Sequence, residues 1–456
     1  MLCITFTLRR YKGRVRRSCA KYGLSRRNGS SHDSCGARGS KVTIFQRLAS
    51  LGQSNGWQTR IAALKQGTAA WRANATPLYQ SSIEWLSTIR TFTTAQRALT
   101  VAGLGPAFLL GCAVHESGAR TWLAAPTALA AELSFPAPAK APAPKPVAEA
   151  PKALVNQLDE LRANFGGVVG VAITSVDDNW TAASGAERKM PQQSVSKLWV
   201  AMTVLAARDA GRLTLDDQIT IDESDFTVFH QPVAALVKDG VGYTASVGEI
   251  LRRAMTMSDN TCNDKLLRLV GGPEAVRAFI AARGLGDIRF GPGEKLLQAG
   301  TAGLEWKPEF SRGNAFAVAR ARLSPAVRLA AFESYVADPP DGAAPYAIAN
   351  ALARLQRGEL LSPSSTAWLI QTMQSSHTGK QRLRGAVPPG WLFGHKTGTG
   401  QDLGGRTAGY NDVGILVAPD GRAYALAVMI GDTRHSIPER QALMQAIVTA
   451  IVAQHG

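Results

Sequence analysis

The chain has 456 residues, enough for two or three average domains, with 45% hydrophobic residues and a formal net charge of +17. That charge is local: residues 1–47 carry twelve Lys and Arg against one Asp, residues 48–152 nine against four, and residues 153–456 thirty against twenty-nine. A basic leader ahead of a nearly neutral body excludes a broad phosphate-binding surface on that body, so no nucleic-acid partner is expected.

Residues 1–96 are rich in Arg, Ser and Gly and lack periodicity, which reads as a disordered leader or an over-extended translation start. Residues 97–134 contain the apolar stretch RALTVAGLGPAFLLGCAV, shorter than a membrane span and preceded by arginine. Its LLGC ending resembles a bacterial lipoprotein box with Cys112 as the acylated residue, and Ala128-Leu129-Ala130 offers a second, small-x-small processing site. Either choice implies export, with a periplasmic and possible lipid-anchored location as the expectation. Residues 135–152 form a stiff Pro/Ala linker.

From 153 to 456 one catalytic domain is expected. GGVVGVAITSV and NWTAASG read as paired strands, and an apolar helix runs from Ser194 to about Ala210. Residues 214–390 are mostly helical by spacing; strands return in GWLFGHKTGT, NDVGILVAP and RAYALAVMIG, before a closing helix at about 436–453. Strands at both ends around a helical middle predict an α/β fold of the α+β type. Its antiparallel sheet is built from both ends of the domain, flanked by helices, with an inserted helical domain. The cysteines at 3, 19, 35, 112 and 262 show no zinc spacing, and seven scattered histidines include no H-E-x-x-H, so neither metal nor cofactor is expected.

Three short motifs carry the chemistry. QQSVSKLWVAM places Ser194 and Lys197 three apart, on one helix face, whereas Ser196 points elsewhere. A lysine beside an alcohol at a helix start can act as a base or hold one in place. Ser258-Asp259-Asn260 follows a helix, and Lys396-Thr397-Gly398 stands at a strand end. Each motif alone is common; the three in this order and placement are specific.

The set S-x-x-K, S-D-N and K-T-G resembles the penicillin-recognising serine enzymes, most closely the class A serine β-lactamases, over residues 153–456. The resemblance implies a β-lactamase/transpeptidase-like fold and hydrolysis of a β-lactam amide through a Ser194 acyl-enzyme, giving antibiotic resistance. It implies Lys197 beneath the nucleophile, Ser258 as a proton relay, and Asn260, Lys396, Thr397 and Thr399 as substrate-binding residues. Backbone N–H groups of Ser194 and Thr399 would form the oxyanion hole. Arg382 sits where some members place a carboxylate-binding arginine, though Arg384 could equally be the one aimed inward; His230 matches a rim position. For the deacylating base, RFGPGEKLLQ gives Arg289, Glu294 and Gln298 in the family's Arg-x-x-x-x-Glu-x-x-Leu-Asn frame, with Gln for Asn. EWKPEFS offers Glu305 and Glu309 instead.

The departures are Gln298, Lys295 in place of the usual proline, a longer segment at 299–341 that could form a lid or an extra helix, and Asn411-Asp412 where many members carry arginine. A small-molecule β-lactam is the expected partner, and the protein is expected to be a monomer. A D,D-peptidase or esterase of the same group, or a penicillin sensor that stays acylated, are the competing functions.

Overall fold

The computed structural model describes residues 148–455. The expected leader, the expected export segment with Cys112 and most of the expected Pro/Ala linker lie outside the described residues. Five antiparallel strands form the main sheet: β1 (Val168–Ser175), β2 (Thr181–Ser184), β3 (Leu392–Thr399), β4 (Tyr410–Val417) and β5 (Ala423–Asp432). Their order is β2-β1-β5-β4-β3, so strands from the two ends of the domain meet at β1 and β5, Ala172 lying opposite Ala427. This is the α/β arrangement expected of a sheet assembled from both ends.

Strand alternation sorts the core into two layers. From β5, Tyr424, Leu426, Val428 and Ile430 pack on one face with Leu154 and Leu158 of helix α1 (Lys152–Phe165) and Ile447 and Ile451 of the closing helix (Ile437–His455). Ala423, Ala425, Ala427 and Met429 line the opposite face against the helical body. Small side chains there let the alanine-rich helix Pro345–Gln356 lie close to the sheet.

Helix α2 (Lys197–Asp209) is apolar on every side and buried from Lys197 to Ala207, as a helix threaded through the middle of a core must be. The expected helix start at Ser194 is a 3₁₀ turn, Gln193–Ser196, which passes into α2 at Lys197. In the segment 214–390 the helices α3 (Val247–Thr256) and α4 (Asn260–Leu269) are joined by others, and a short antiparallel pair precedes them, Gln218–Ile221 against Tyr243–Ser246. Thr220 and Thr244, both β-branched, face each other there. Residues 299–341 hold two helices, α6 (Ala315–Arg322) and α7 (Pro325–Ala337), after helix α5 (Glu294–Thr301).

Candidate active site

The site forms where the first turn before α2, the α3–α4 loop, α5 and the edge strand β3 converge. The S-x-x-K spacing acts as expected of one turn: Lys197 Nζ donates to Ser194 Oγ at 2.8 Å. Ser196 Oγ instead donates back to the Gln193 carbonyl at 2.7 Å. Lys197 is 1% exposed, and its other two donors go to Asn260 Oδ1 at 2.9 Å and to Glu294 Oε1 in an ion pair. All three protons of the ammonium are therefore placed, which a buried cation requires.

In the α3–α4 loop each residue of the S-D-N triplet has its own task. Ser258 takes a left-handed backbone, φ 61°, an uncommon state for a non-glycine residue that surrounding contacts must hold. Asp259 is the N-cap of α4, accepting from Cys262 N at 3.0 Å, and its second oxygen accepts from Val233 N at 2.6 Å. Those two bonds fix the loop so that Ser258 and Asn260 face the cavity. Asn260 donates its amide to the Val228 carbonyl at 2.9 Å.

Strand β3 brings Lys396, whose Nζ donates to Ser258 Oγ at 2.8 Å and to the Thr397 carbonyl at 2.9 Å. Complete burial, reinforced by the like charge of Lys197, holds this ammonium well below the ordinary lysine range. Thr397 Oγ1 pairs with Thr378 Oγ1 at 2.8 Å. Arg382 donates to the carbonyls of Gly398 at 2.9 Å and Asn411 at 2.6 Å and to Thr399 Oγ1 at 2.6 Å, and stacks 3.7 Å from the Tyr410 ring centre. Arg384 turns away: it donates to the carbonyls of Gln374 and Phe393 and through Nε to His395 Nε2 at 3.2 Å. With that nitrogen accepting, His395 Nδ1–H donates to Asp412 at 2.8 Å. Of the two arginines, the one lining the cavity is Arg382.

Glu294 opens α5 and is 4% exposed; Glu305 and Glu309 are exposed. The structure thus brings Glu294, and neither alternative carboxylate, to Lys197. Arg289 does not hold this loop from behind. Its guanidinium pairs with Asp338 at the surface. The loop is held by a residue that the motif frame omitted: Asp264 accepts from the backbone N–H of Glu294 at 3.0 Å and of Lys295 at 3.3 Å. A proline at 295 has no such proton to give, so Lys295 suits this arrangement. Burial, with Glu294 nearby, pushes the Asp264 carboxyl up to about 6.

Gln298, one turn along α5, donates to Glu294 Oε2 at 3.3 Å and to Gln193 Oε1 at 3.0 Å, and Gln401 donates back to its side-chain oxygen at 3.0 Å. Gln193 itself has φ 54° and is clamped from the inserted segment: its N–H donates to Asp341 at 2.7 Å and its amide to Tyr335 Oη at 2.5 Å. Asn411 braces the same turn, donating to the carbonyls of Pro191 at 2.7 Å and Gln192 at 3.1 Å. Gly398 has a packing reason, since a Cβ there would overlap the Gln192 carbonyl.

These elements enclose an open cavity of about 520 Å³. Ser194, His230, Ser258, Asn260, Gln298, Arg382, Thr397 and Thr399 line it, together with Phe229, Arg320 and Asp402, which the motifs did not indicate. His230 is exposed at the rim and its carbonyl accepts from Asn260 N at 2.9 Å. Among the described residues, no group of three or more His, Cys, Asp and Glu side chains is arranged to hold a metal ion. Asp264 was readable in principle, four positions after Asn260 on one helix face; Tyr335 and Asp341, more than 140 positions from Gln193, were not.

The mixed α/β domain thus brings a serine and a glutamate into contact with one buried lysine beside the cavity. Residues 153–455 match the model of the β-lactamase enzyme family, and the chain belongs to that family. It is 28% identical over 296 residues to the extended-spectrum β-lactamase PER-1 of Pseudomonas aeruginosa, covering 64% of this chain and 84% of that one. It is 28% identical over 305 residues to β-lactamase CTX-M-97 of Escherichia coli, covering 66% and 88%. Among solved structures, a β-lactamase from Chitinophaga pinensis aligns with a TM-score of 0.55 at 26% identity, covering 66% of this chain and 99% of that one. An ancestral class A β-lactamase aligns at 0.52 and 29%, covering 66% and 99%. The fold and the three motifs are those of class A.

Proposed function

We propose that the protein is a serine β-lactamase that opens the β-lactam amide through an acyl-enzyme on Ser194 and then hydrolyses that ester, conferring antibiotic resistance. The observation that supports it most is the contact of Glu294 with Lys197, itself bonded to Ser194, with Gln298 alongside. In acylation Ser194 Oγ attacks the lactam carbonyl carbon and gives its proton to the Lys197–Glu294 pair. The C–N bond breaks, and the departing nitrogen takes a proton through Ser258, which Lys396 orients. Backbone N–H groups of Ser194 and Thr399 receive the oxyanion, while Lys396, Thr397, Thr399 and Arg382 receive the substrate carboxylate and Asn260 its acylamino group. In deacylation Glu294 removes a proton from a water that Gln298 helps to hold, and Ser194 is released. No metal enters this scheme, so chelator should leave the rate unchanged.

The decisive comparison is Glu294→Gln against the parent. A general base typically contributes about 10²–10⁴ in rate, so a penicillin adduct on Ser194 should persist at least about a hundredfold longer in the variant, by intact-protein mass spectrometry. Glu309→Gln should clear its adduct like the parent. An adduct equally permanent in the parent would make this a penicillin sensor, and a parent unreactive to lactams but active on D-alanyl peptides or esters a peptidase or esterase. The reading also carries export to the periplasm and action as a monomer. Among the described residues no helix is long and apolar enough to cross a membrane.

A further inference from the structure

Resting on the lactamase reading, we propose that Arg320, supplied by the inserted segment, selects β-lactams that carry a second carboxylate on the acyl arm. Helix α6 sets its guanidinium into the lining of the cavity that holds Ser194. There Nη2 donates to the backbone carbonyl of Asp402 at 3.0 Å. Neighbouring arginines have carboxylate partners: Arg312 has Glu223, Arg289 has Asp338, and Arg406 has Glu333 and Asp432. Among the described residues Arg320 forms no ion pair. The nearest acid, Asp402, accepts instead from the Thr407 hydroxyl. Arg328 adds like charge beside it, and its Nε is buried without a partner. Two arginines, Arg320 and Arg328, thus stand against one acid, Asp402, at this edge, and Arg320 has guanidinium donors to spare in a fork that fits a carboxylate.

The position also selects where on the substrate that carboxylate lies. Arg382 is anchored at Thr399 and Arg320 at Asp402, three residues further along the same lip of the sheet. Three residues of chain span at most about 11 Å, so the two anchoring points lie along one edge of the same cavity. The ring carboxylate belongs to Lys396 and Arg382. A group on the arm, reaching past Gln401, meets Arg320.

The test uses two reagents with one ring system, benzylpenicillin and its α-carboxy derivative, and the second-order rate constant for acylation of Ser194. In the parent the ratio of the two constants, carboxylated over plain, should exceed that in Arg320→Gln by about tenfold, in line with about 1.5 kcal/mol for a charged hydrogen bond. Arg320→Lys should keep part of the ratio, because charge remains without the fork. Arg322→Gln, on the exposed side of the same helix, should keep all of it. An unchanged ratio in Arg320→Gln, or an equal fall in Arg322→Gln, overturns the assignment to Arg320 while leaving the lactamase reading intact. Failure of both reagents to acylate the parent overturns that reading, and the role of Arg320 with it.

Discussion

Ser194 and Ser196 lie two positions apart in one turn, and their hydroxyls meet opposite fates. Ser194 faces Lys197 and the cavity; Ser196 is spent on the Gln193 carbonyl. Ser194→Ala should abolish penicillin labelling, and Ser196→Ala should retain it while losing about 1 kcal/mol of stability, the typical worth of one hydrogen bond, by chemical denaturation. Asp341 carries a second residue-scale prediction. Its carboxyl is fully buried, and burial pushes it up to about 7 despite bonds from Gln193 and Tyr335. The folded protein therefore binds this proton more tightly than the unfolded chain, whose carboxyl titrates near 4. Stability from this group is fully present below about pH 4 and is lost as pH rises through about 7. Asp264 acts in the same direction over a similar window. Asn at 341 keeps an acceptor for Gln193 and Tyr335 and cannot ionise, so melting temperatures of Asp341→Asn between pH 4.5 and 8 should fall less steeply than the parent's. An identical slope would show that the carboxyl does not titrate there.

At the scale of elements, the site depends on how closely the edge strand β3 approaches the turn before α2. Asn411 from β4 and the bare Cα of Gly398 allow that approach. Gly398→Ala must push strand and turn apart, and overpacking of this kind costs about 1–3 kcal/mol. The Ser194 hydroxyl should move with it, so acylation should slow at least tenfold while the far-ultraviolet spectrum stays unchanged; parent-like acylation would mean that the strand yields without disturbing the turn. The start of α5 depends on the two N–H bonds into Asp264. Lys295→Pro removes one, and deacylation should slow more than acylation, because the displaced group is Glu294 rather than Ser194.

For the whole molecule, the charge asymmetry sets basic residues 1–152 apart from a nearly neutral remainder, and the described residues before β1 already belong to the fold. Ala148 N donates to the Asp178 carbonyl, and Leu154 and Leu158 of α1 are fully buried against β5 and the closing helix. A chain starting at residue 148 should therefore match the longer chain in acylation and melting temperature. One starting at residue 167 should lose several kcal/mol, since two buried leucines are removed with their helix. Equal stability of the two truncations would place α1 outside the cooperative unit.

The sequence by itself determined the parts whose physics is local. Short apolar runs bounded by turn residues defined the strands, the apolar run after Ser194 defined a helix, and three-residue spacing put Ser194 beside Lys197. Motif resemblance then supplied the fold and the family. The motif frame offered Glu294 with Glu305 and Glu309 as alternatives, and only the burial of one carboxylate against Lys197 told them apart. Arg382 and Arg384 were equivalent on paper, because which of two arginines in one loop turns inward depends on carbonyls of strands and helices elsewhere in the chain. Tyr335, Asp341 and Arg320 were invisible for the same reason. Their partners Gln193, Asp402 and the cavity lie far away in sequence, and no local period encodes a contact made across 80 to 150 residues. Tertiary packing alone decided that the inserted segment braces the turn carrying Ser194 and places a cation in the cavity wall, since both require the insertion to be folded back against the sheet edge.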